Sequence, residues 1–420
     1  MNNSKLTDTD ILYIGVVPDT WNKSRIGSLY ILRNVKVSDK DFKPLSVTMK
    51  GILPQIESVA KTNAHDDRKL VKKGDFVINS RSDRRGSCGI ANQDGSVSLI
   101  NLVLQPRDNM EPNFYNWFFK SKEFSAEFYR WGHGIVDDLW TTTWQDMKNI
   151  EIIVPPLSEQ KAIADYLDDK CGQIDEIAKI IEEQIATLER YKCSIITEKV
   201  TKGLNSNAPM KDSGIEWIGA IPEHWKVVKG KNLFTNDKSI VGARVDDYER
   251  LALTMKGVIK RSKDDNEGLQ PDKFNSYQIL RENELVFKLI DLQNISTSRV
   301  GLSGYTGIVS PAYIILKSNG SILPTYAEKY YLSLWMNQIF NFLGDAGVRS
   351  SLNAGELLNL YLPVPPLSEQ KAIADYLDDK CGQIDEIIDG KRQQLETLKS
   401  YKQSLIYEYV TGKKEVPENE

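Results

Sequence analysis

Two long segments of the chain place apolar residues at helical spacing. Each segment follows a Pro-Pro pair and opens with Ser-Glu-Gln, at residues 158–160 and 368–370. Proline ends the preceding strand, and a serine followed by acidic and amide residues is typical of a helix start. From these points apolar residues recur every three or four positions to about residues 202 and 412. The pattern predicts two helices of roughly 45 residues, each about 65–70 Å long.

A heptad frame laid on each predicted helix assigns a seam of apolar residues. The assigned seam residues are Ile174, Ile177, Ile181, Leu188, Tyr191, Ile195, Ile384, Ile387, Leu398, Tyr401 and Leu405. A stripe of this length needs a partner, and the simplest partner is the other helix. Gln184, Lys391 and Gln394 also fall in the frame, where polar residues tend to fix the register. Because the connection between the halves is short, we expect the two helices to pair antiparallel.

The chain also contains a long internal repeat. The segment VPPLSEQKAIADYLDDKCGQIDEI occupies residues 154–177 and occurs again without a mismatch at residues 364–387. Weaker matches join residues 13–21 to 217–225, 47–51 to 253–257 and 187–201 to 397–411. The period is too long for a solenoid and fits a duplicated unit made of a domain and a helix. The order along the chain is therefore globule, helix, globule, helix.

Both globules have the pattern of mixed α/β domains. Short β-rich runs, such as residues 75–79, 96–104 and 307–316, are separated by Gly, Asp and Asn clusters. Aromatic-rich runs with helical spacing, at residues 113–131 and 325–343, are predicted to supply core. The predicted divisions are globule 1–153, helix 154–203, linker 204–216, globule 217–363, helix 364–413 and acidic tail 414–420. The predicted fold is α/β, with two mixed α/β domains joined by two long antiparallel coiled-coil helices in a pseudo-twofold repeat.

Composition limits the classes of protein that fit. The 420 residues leave room for two or three domains, and 40% hydrophobic with 27% charged residues fits a globular protein. The first residues lack a basic region followed by an apolar run, so no signal peptide is expected. The four cysteines (Cys88, Cys171, Cys193, Cys381) show no CxxC spacing, which favours a reducing cytoplasm. A net charge of −4 neither supports nor excludes nucleic-acid binding, because charge can be segregated.

The motifs of several catalytic classes are absent from the sequence. There is no GxxxxGK[ST] phosphate loop and no Asn/Asp-Pro-Pro-aromatic motif of the amino-methyltransferases. Three scattered histidines (His65, His133, His224) show neither metal nor triad spacing. The pair Asp168-Asp169 recurs at 378–379, but a solvated helix face explains it more simply than a metal site. An autonomous nuclease or methyltransferase is therefore nearly excluded.

Basic loops in the globules are candidates for reading DNA. Arg81, Arg84 and Arg85 follow directly after the predicted strand 75–79. Arginine and lysine suit phosphates and guanine edges, and asparagine and glutamine suit adenine; the alternative is an ordinary solvated basic loop. The further DNA-binding candidates are Lys50, Lys256, Lys260, Arg261, Lys288, Gln293, Asn294 and Arg349. These loops differ between the globules while the scaffold repeats, as is expected if each loop reads a different sequence.

The ordered set of motifs resembles the specificity subunits of type I restriction–modification systems. The resemblance is carried by the repeated VPPLSEQKAIADYLDDKCGQIDEI, by TLKSYKQSLIYEYVTGK at 397–413, by SGIEWIGAIPEHWKVVK at 213–229 and by GVRSSLNAGELLNLYLPVPPLSEQ at 347–370. It covers nearly the whole chain and both repeats. The first half departs from the pattern, because its opening lacks Ser-Gly and its residues 132–156 keep no Arg-Ser-Ser-Leu.

The resemblance implies a non-catalytic subunit that reads a bipartite duplex DNA target and directs adenine methylation and restriction by its partners. Two methyltransferase subunits and two restriction–translocase subunits would assemble with it. S-adenosylmethionine and ATP with Mg²⁺ would belong to those partners, and no cofactor to this chain. The alternative is a two-headed protein-binding scaffold without DNA specificity.

The unbroken identity of the repeat has two compatible explanations. The same surface presented twice would bind two copies of one partner, and recent recombination between the copies would keep them identical. We favour recombination as the cause of perfect identity. The predicted partner-docking residues are Glu159, Gln160, Lys161, Asp165, Glu369, Gln370, Lys371 and Asp375.

Overall fold

The computed structural model divides the chain into two compact units. The structure describes residues 5–55, 67–135, 140–263, 274–292, 294, 299–343 and 351–417. The first unit combines residues 1–181 with 392–420, and the second contains residues 182–391. Each unit therefore contains one globule, the first part of one long helix and the last part of the other.

The first globule is built from short antiparallel sheets. Its strands are β1 (Leu6–Asp8), β2 (Val16–Pro18), β3 (Asn22–Arg25), β4 (Tyr30–Leu32), β5 (Lys36–Val37), β6 (Leu45–Thr48), β7 (Gly51–Pro54), β8 (Arg68–Val71), β9 (Phe76–Asn79), β10 (Cys88–Ile90), β11 (Gly95–Ser98), β12 (Asn101–Pro106) and β13 (Glu151–Val154). Its helices are α1 (Ile26–Leu29), α2 (Pro112–Lys120), α3 (Lys122–Arg130) and α4 (Trp144–Met147), followed by the long α5 (Leu157–Lys202). The sheet orders are β10-β9-β12-β4 and β11-β8-β5, with pairs β1-β2, β3-β13 and β6-β7.

The second globule repeats much of this plan. Its strands are β14 (Met210–Asp212), β15 (Ala220–Pro222), β16 (Lys226–Lys229), β17 (Phe234–Thr235), β18 (Arg250–Thr254), β19 (Gly257–Arg261), β20 (Gln278–Leu280), β21 (Leu285–Lys288), β22 (Arg299–Leu302), β23 (Gly307–Val309), β24 (Ile314–Ser318) and β25 (Tyr361–Val364). Its helices are α6 (Pro324–Met336), α7 (Ile339–Leu343) and α8 (Ala354–Asn359), followed by the long α9 (Leu367–Val410). The sheet orders are β17-β24-β21-β22 and β19-β18-β23-β20, with pairs β14-β15 and β16-β25.

The aromatic-rich helices form the cores, as the sequence pattern predicts. In the first unit Phe114 and Phe118 of α2 are almost completely buried, and in the second Tyr326 and Tyr330 of α6 are. A buried tyrosine hydroxyl needs a partner. The Tyr326 hydroxyl lies within hydrogen-bond distance of two carbonyl oxygens, those of Val200 (2.9 Å) and of Pro363 (3.0 Å). The α6 tyrosines therefore fill the core and also tie it to the end of α5.

One predicted boundary is wrong. The predicted linker, residues 204–216, contains β14, which pairs antiparallel with β15. The same hairpin occurs in the first globule, where β1 pairs with β2. The polar composition of the segment concealed this, because an edge strand with every residue exposed carries no apolar signal. The second globule thus begins inside the segment predicted as a linker.

A Glu-Gln pair fastens the start of each long helix to its globule. In the first unit Trp21 Nε1 donates to Glu159 Oε2 (2.8 Å), and Gln160 accepts from the amide of Glu111 (2.9 Å) while donating to the carbonyl of Pro155 (2.7 Å). In the second unit Trp225 Nε1 donates to Glu369 Oε2 at 3.0 Å.

Gln370 repeats the role of Gln160. Its Oε1 accepts from the amide of Leu323 (2.7 Å), and its Nε2 donates to the carbonyl of Pro365 (2.9 Å). Gln160 and Gln370 are only 1% and 0% exposed. Their assignment to a docking surface is therefore wrong, because both amides are used to satisfy buried backbone groups.

The end of each long helix packs on the same tryptophan that anchors the start of the other. Gly203 after α5 and Gly412 after α9 have positive φ angles (73° and 67°), the usual helix-ending conformation. A Cβ at Gly203 would lie 3.0 Å from the Trp225 ring, and one at Gly412 would lie 3.0 Å from the Trp21 ring. Each tryptophan therefore holds the beginning of one helix and the end of the other.

The anchoring role of Gln370 predicts a specific loss of stability. Replacing Gln370 by alanine leaves the Leu323 amide and the Pro365 carbonyl without their partner, which costs about 2–6 kcal/mol at 1–3 kcal/mol per buried group. Urea unfolding followed by tryptophan fluorescence measures this loss. Lys371→Ala is the matched control, because its exposed ion pair with Asp375 contributes only about 0.3–0.5 kcal/mol. Equal stability of the two variants would contradict the anchoring role.

Candidate functional site

The arginine loop of the first globule is a tight turn between β9 and β10. Residues Ser82–Arg84 form one turn of 3₁₀ helix, and Arg84 and Arg85 are exposed. The Tyr129 hydroxyl lies 3.5 Å from the carbonyl oxygen of Arg84 and its ring lies 5.3 Å from the Arg85 guanidinium carbon. The turn is thus held from below by Tyr129, and two cationic side chains face solvent above it.

Arg81 differs from the other two arginines because it is partly buried. Its backbone amide donates to Asn79 Oδ1 (2.9 Å), and it forms a β-bridge with Thr141. Its side chain lines an open groove of about 450 Å³. The groove is also lined by Leu32, Asn34, Lys69, Ser80, Leu99, Ile100, Leu102, Thr141, Thr142, Thr143, Trp144 and Gln145. The sequence pattern did not point to the threonine run. Thr142 is completely buried and its hydroxyl donates to the carbonyl of Phe128 (2.7 Å), so this residue supports the groove wall.

Two of the predicted lysines occupy the same place in similar hairpins. Lys50 lies between β6 and β7, and Lys256 lies between β18 and β19. Both side chains are exposed. The structure therefore brings this pair of candidates to equivalent positions of the two globules.

The other candidates of the second globule have mixed surroundings. Lys260 Nζ forms an ion pair with Glu249 (2.6 Å) and lies over the Tyr305 ring, so its charge is partly compensated. Lys288 is the strand partner of Arg299, and burial together with that positive neighbour lowers the pKa of Lys288. The carboxylate of Asp291 acts in the opposite direction and raises the pKa of Lys288.

The remaining candidates lie on β19 and on the loops. Arg261 ends β19 and is partly buried, and Asn294 is exposed, with its amide donating to the carbonyl of Asp291 (2.9 Å). Gln293 and Arg349 lie outside the described residues.

The buried stripe on the long helices is narrower than the predicted seam. On α9 the buried or half-buried positions from 381 to 405 are Cys381, Ile384, Ile388, Lys391, Leu395, Leu398, Lys402 and Leu405. On α5 the same frame gives Cys171, Ile174, Ala178, Ile181, Ile185, Leu188, Lys192 and Ile195. The spacing alternates strictly between three and four residues, as in a coiled coil. The predicted residues Ile174, Ile181, Leu188, Ile195, Ile384, Leu398 and Leu405 all belong to it.

Four predicted seam residues do not. Ile177, Tyr191, Ile387 and Tyr401 are between 47% and 57% exposed. The predicted frame placed the second seam position three residues after the first. In the structure the second buried position lies four residues after the first. One full helical turn falls between three and four residues, so positions three and four residues after the first lie on opposite flanks of the same stripe. Because apolar residues occupy both flanks, the sequence was compatible with both frames.

Within each unit the two helix segments run antiparallel, as predicted. In the first unit the Tyr166 and Tyr409 rings lie 4.6 Å apart, and Lys402 Nζ bonds Asp175 (2.6 Å). Early residues of α5 therefore contact late residues of α9.

The second unit pairs its segments in the same way. Lys192 Nζ bonds Asp385 (2.6 Å), and Lys391 Nζ donates to Gln184 Oε1 (2.6 Å). Lys192 and Lys402 occupy equivalent positions of the stripe. Each keeps its aliphatic stem against the stripe and its charge on a carboxylate at the edge.

The exposed isoleucines and tyrosines form two equivalent surface pairs. The Lys402–Asp175 bond sets the register of the first unit and places Tyr401 level with Ile177. Helical geometry puts both residues on the flank opposite to Asp175. The Lys192–Asp385 bond does the same for Tyr191 and Ile387 in the second unit. We call these two surfaces the Ile–Tyr patches.

Two further carboxylates of the identical segment hold the helices to the globules. Trp117 Nε1 donates to Asp168 Oδ1 (2.8 Å), and Lys329 Nζ bonds Asp378 (2.7 Å). Burial by itself would lower the pKa of Lys329, but the carboxylates of Glu328 and Asp378 outweigh it and raise this pKa. Asp168 and its counterpart are therefore structural contacts.

The remaining predicted docking residues are split between two situations. Glu159 and Glu369 are engaged by Trp21 and Trp225. The exposed residues are Lys161, Asp165, Lys371 and Asp375. Only these four retain the accessibility that a docking role requires.

The described part of the chain offers no metal-binding cluster and no membrane span. No group of three or more His, Cys, Asp or Glu side chains is arranged there to hold a metal ion. None of the helices in the same residues has the length and apolar character needed to cross a bilayer. All four cysteines are free thiols, and burial raises the pKa of each.

The architecture is a repeated scaffold that carries two different sets of basic loops, with a pair of antiparallel helix segments in each unit. Residues 18–190 and 222–397 match the sequence profile of the type I restriction modification DNA specificity domain. The chain belongs to this family. Its members are specificity subunits, which are non-catalytic and act with separate methyltransferase and restriction subunits.

Curated relatives and a solved structure agree with this assignment. The chain is similar to the type I restriction enzyme MjaVIII specificity subunit of Methanocaldococcus jannaschii, with 25% identity over 94% of this chain and 93% of that protein. A protein assigned to the MjaX enzyme of the same organism as its specificity subunit is 27% identical, over 64% of this chain and 60% of the relative. The fold resembles a chain from a structure on complex assembly and conformational transition of the type I R-M system, with a TM-score of 0.65, 14% identity, and 94% and 98% coverage.

The frame of the buried stripe can be tested with two adjacent residues. Ile388 is buried and Ile387 is half exposed. Ile388→Asp is expected to lower the free energy of unfolding by at least about 2–5 kcal/mol, the cost of deleting a buried isoleucine side chain. It also adds a buried charge, which increases the loss. Ile387→Asp is expected to stay within about 0.5 kcal/mol of the parent. Thermal and urea unfolding measure the stability of both variants. A larger loss of stability for Ile387→Asp than for Ile388→Asp would favour the heptad frame predicted from the sequence.

Proposed function

We propose that this chain reads a bipartite duplex DNA target, one half with each globule, and directs adenine methylation and restriction by partner subunits. The observation that carries the proposal is the contrast between scaffold and loops. The globules share their hairpins and helix anchors, while the β9–β10 and β21–β22 connections differ in sequence. Different loops on a repeated scaffold are what two different half-sites require.

The charges near these connections support contact with DNA. Arg84 and Arg85 are exposed above Tyr129, and Lys288 lies beside Arg299. Arginine bound to a guanine edge contributes about 1–3 kcal/mol of discrimination in the major groove. Half-sites on one face of a duplex lie about 34 Å apart, which corresponds to a spacer of about 5–8 base pairs between them.

The partners would supply the chemistry. Two methyltransferase subunits carry S-adenosylmethionine, and two restriction–translocase subunits use ATP with Mg²⁺; the chain itself holds no cofactor. The complex acts in the cytoplasm, where its DNA target lies. The methyltransferase subunits dock on the two Ile–Tyr patches, because an exposed apolar pair repeated in both units fits two copies of one partner.

The proposed reading of DNA predicts a half-site effect of the arginine loop. The chain carrying Arg84→Ala and Arg85→Ala, purified with its methyltransferase, should bind its duplex about 10- to 100-fold more weakly. In cells, single-molecule methylome sequencing should show one half of the methylated motif relaxed and the other half unchanged. Arg107→Ala with Lys122→Ala removes the same charge elsewhere on the first globule and should leave the motif intact.

Two outcomes would contradict the proposal at different levels. An unchanged motif in the arginine variant removes Arg84 and Arg85 from the reading residues. If the unmodified complex binds no bipartite duplex in preference to others at any salt concentration, DNA reading itself fails. The two-headed protein-binding scaffold would then be the better interpretation.

The docking proposal predicts a change in stoichiometry. Ile177→Glu alone should reduce the methyltransferase from two copies to one per chain, and Ile177→Glu with Ile387→Glu should remove both. A charge placed in an apolar contact loses its hydration without gaining a partner. Native mass spectrometry of the purified complex counts the copies. Glu176→Ala with Glu386→Ala changes the neighbouring exposed positions as a control, and two copies retained in the double isoleucine variant would refute the docking site.

A further inference from the structure

Each globule carries the same four residues at the tip of a β-hairpin. Thr48-Met49-Lys50-Gly51 joins β6 to β7, and Thr254-Met255-Lys256-Gly257 joins β18 to β19. These tips lie far from the identical segment in sequence, and the residues around them differ between the halves. Recent recombination that kept the helices identical therefore does not explain the identity of the tips.

The two tips also share their internal hydrogen bonds. The Thr48 hydroxyl donates to the carbonyl of Gly51 (2.9 Å) and accepts from the amide of Lys50 (3.1 Å). The Thr254 hydroxyl donates to the carbonyl of Gly257 (3.0 Å), and the amide of Lys256 donates to it (3.1 Å). The threonine closes the turn from inside in both cases. The next two residues, a methionine and a lysine, are thereby presented outward.

The methionines at the tips are unusually exposed for their type. Met49 is 73% exposed and Met255 is 64% exposed. The hairpins do not need these side chains for their own packing, because Leu45, Val47 and Ile52 fill the core below the first tip. An exposed, flexible apolar side chain next to a lysine suits a ligand with both apolar and anionic surface.

Each tip lies beside the connection that differs between the globules. A Cβ at Gly89, which follows the arginine loop on β10, would lie 2.9 Å from Gly51 Cα. In the second unit Arg299, at the start of β22, donates to the carbonyl of Leu253 (3.5 Å) just before the tip. A constant element and a variable element are therefore neighbours in both globules.

We propose that the two hairpin tips grip the sugar–phosphate backbone of the duplex, independently of its sequence. Lys50 and Lys256 bind phosphate oxygens, and Met49 and Met255 pack on deoxyribose at the groove edge. This inference rests on the proposed function, because it assigns the part of the DNA that the constant residues contact. Two half-sites differ in base sequence but share their backbone, so identical residues match the shared part.

The test uses the full chain purified with its methyltransferase. Lys50→Ala with Lys256→Ala should weaken binding equally for cognate and non-cognate duplexes, and should reduce the slope of log affinity against log salt by about 2. The methylated motif in cells should stay the same. Met49→Ala with Met255→Ala should also weaken both duplexes, with an unchanged salt slope. Lys40→Ala with Lys238→Ala removes one exposed lysine elsewhere on each globule and should change neither quantity.

Each other result overturns the inference in a recognisable way. An altered methylation motif in the lysine variant means that the tips read bases. An unchanged affinity and slope, with loss of the methyltransferase on purification, means that the tips contact a protein. If the lysine variant and the Lys40/Lys238 control bind alike while the parent complex prefers its bipartite duplex, the backbone grip fails and the proposed function stands. Absence of that preference in the parent complex removes both.

Discussion

The architecture of each unit depends on one tryptophan that joins two helix ends. Trp21 donates to Glu159 at the start of α5 and packs against Gly412 after the end of α9, while Trp225 makes the same two contacts with Glu369 and Gly203. An indole supplies both needs at once, because its N–H reaches a carboxylate while its ring covers apolar surface. Removing the helix-ending glycine or the carboxylate would disturb the seat of both helices in that unit. The globule, the antiparallel segments and the surfaces they expose are positioned by this contact.

This arrangement changes how the identical segment is understood. Many of its residues that look solvent-facing in the sequence are structural: Glu159 and Gln160 hold the globule, and Asp168 receives the Trp117 indole. In the second copy the carboxylate of Asp378 receives Lys329 instead, so one helix surface accommodates two different globule residues. Identity is therefore partly a requirement of the anchor. Packing does not explain the identity of the remaining exposed residues, among them Ile177, Lys161 and Asp165, and for these docking and recombination are the two explanations.

The sequence predicts the larger elements well and their local details less well, for physical reasons. The bounds of α5 and α9 and the aromatic cores were accessible, because periodicity over many residues averages out local exceptions. The antiparallel sense was accessible from the short connection between the halves and not from the periodicity. The choice between Ile387 and Ile388 was not, since apolar residues stand on both flanks of the stripe and only packing decides between them. The burial of Gln370 was also hidden, because its value lies in satisfying backbone groups from other elements, which no local pattern records. Strand β14 was missed for a related reason, as its partner and not its composition makes it a strand.

For the site, the same reasoning separates what a sequence can indicate from what a fold must supply. Clusters of arginine and lysine were visible, but their neighbours change their meaning: Glu249 compensates Lys260, whereas Arg299 adds to the charge at Lys288. The repeat already aligned Lys50 with Lys256 in the sequence, and the structure adds that both lie at the tip of a hairpin with the same internal hydrogen bonds. A protein that reads two different sequences with one scaffold has to divide its contacts into those that vary and those that do not. The constant hairpin tips beside variable basic connections provide that division in each globule, and a constant contact of this kind lets the variable connections change without loss of general affinity for the duplex.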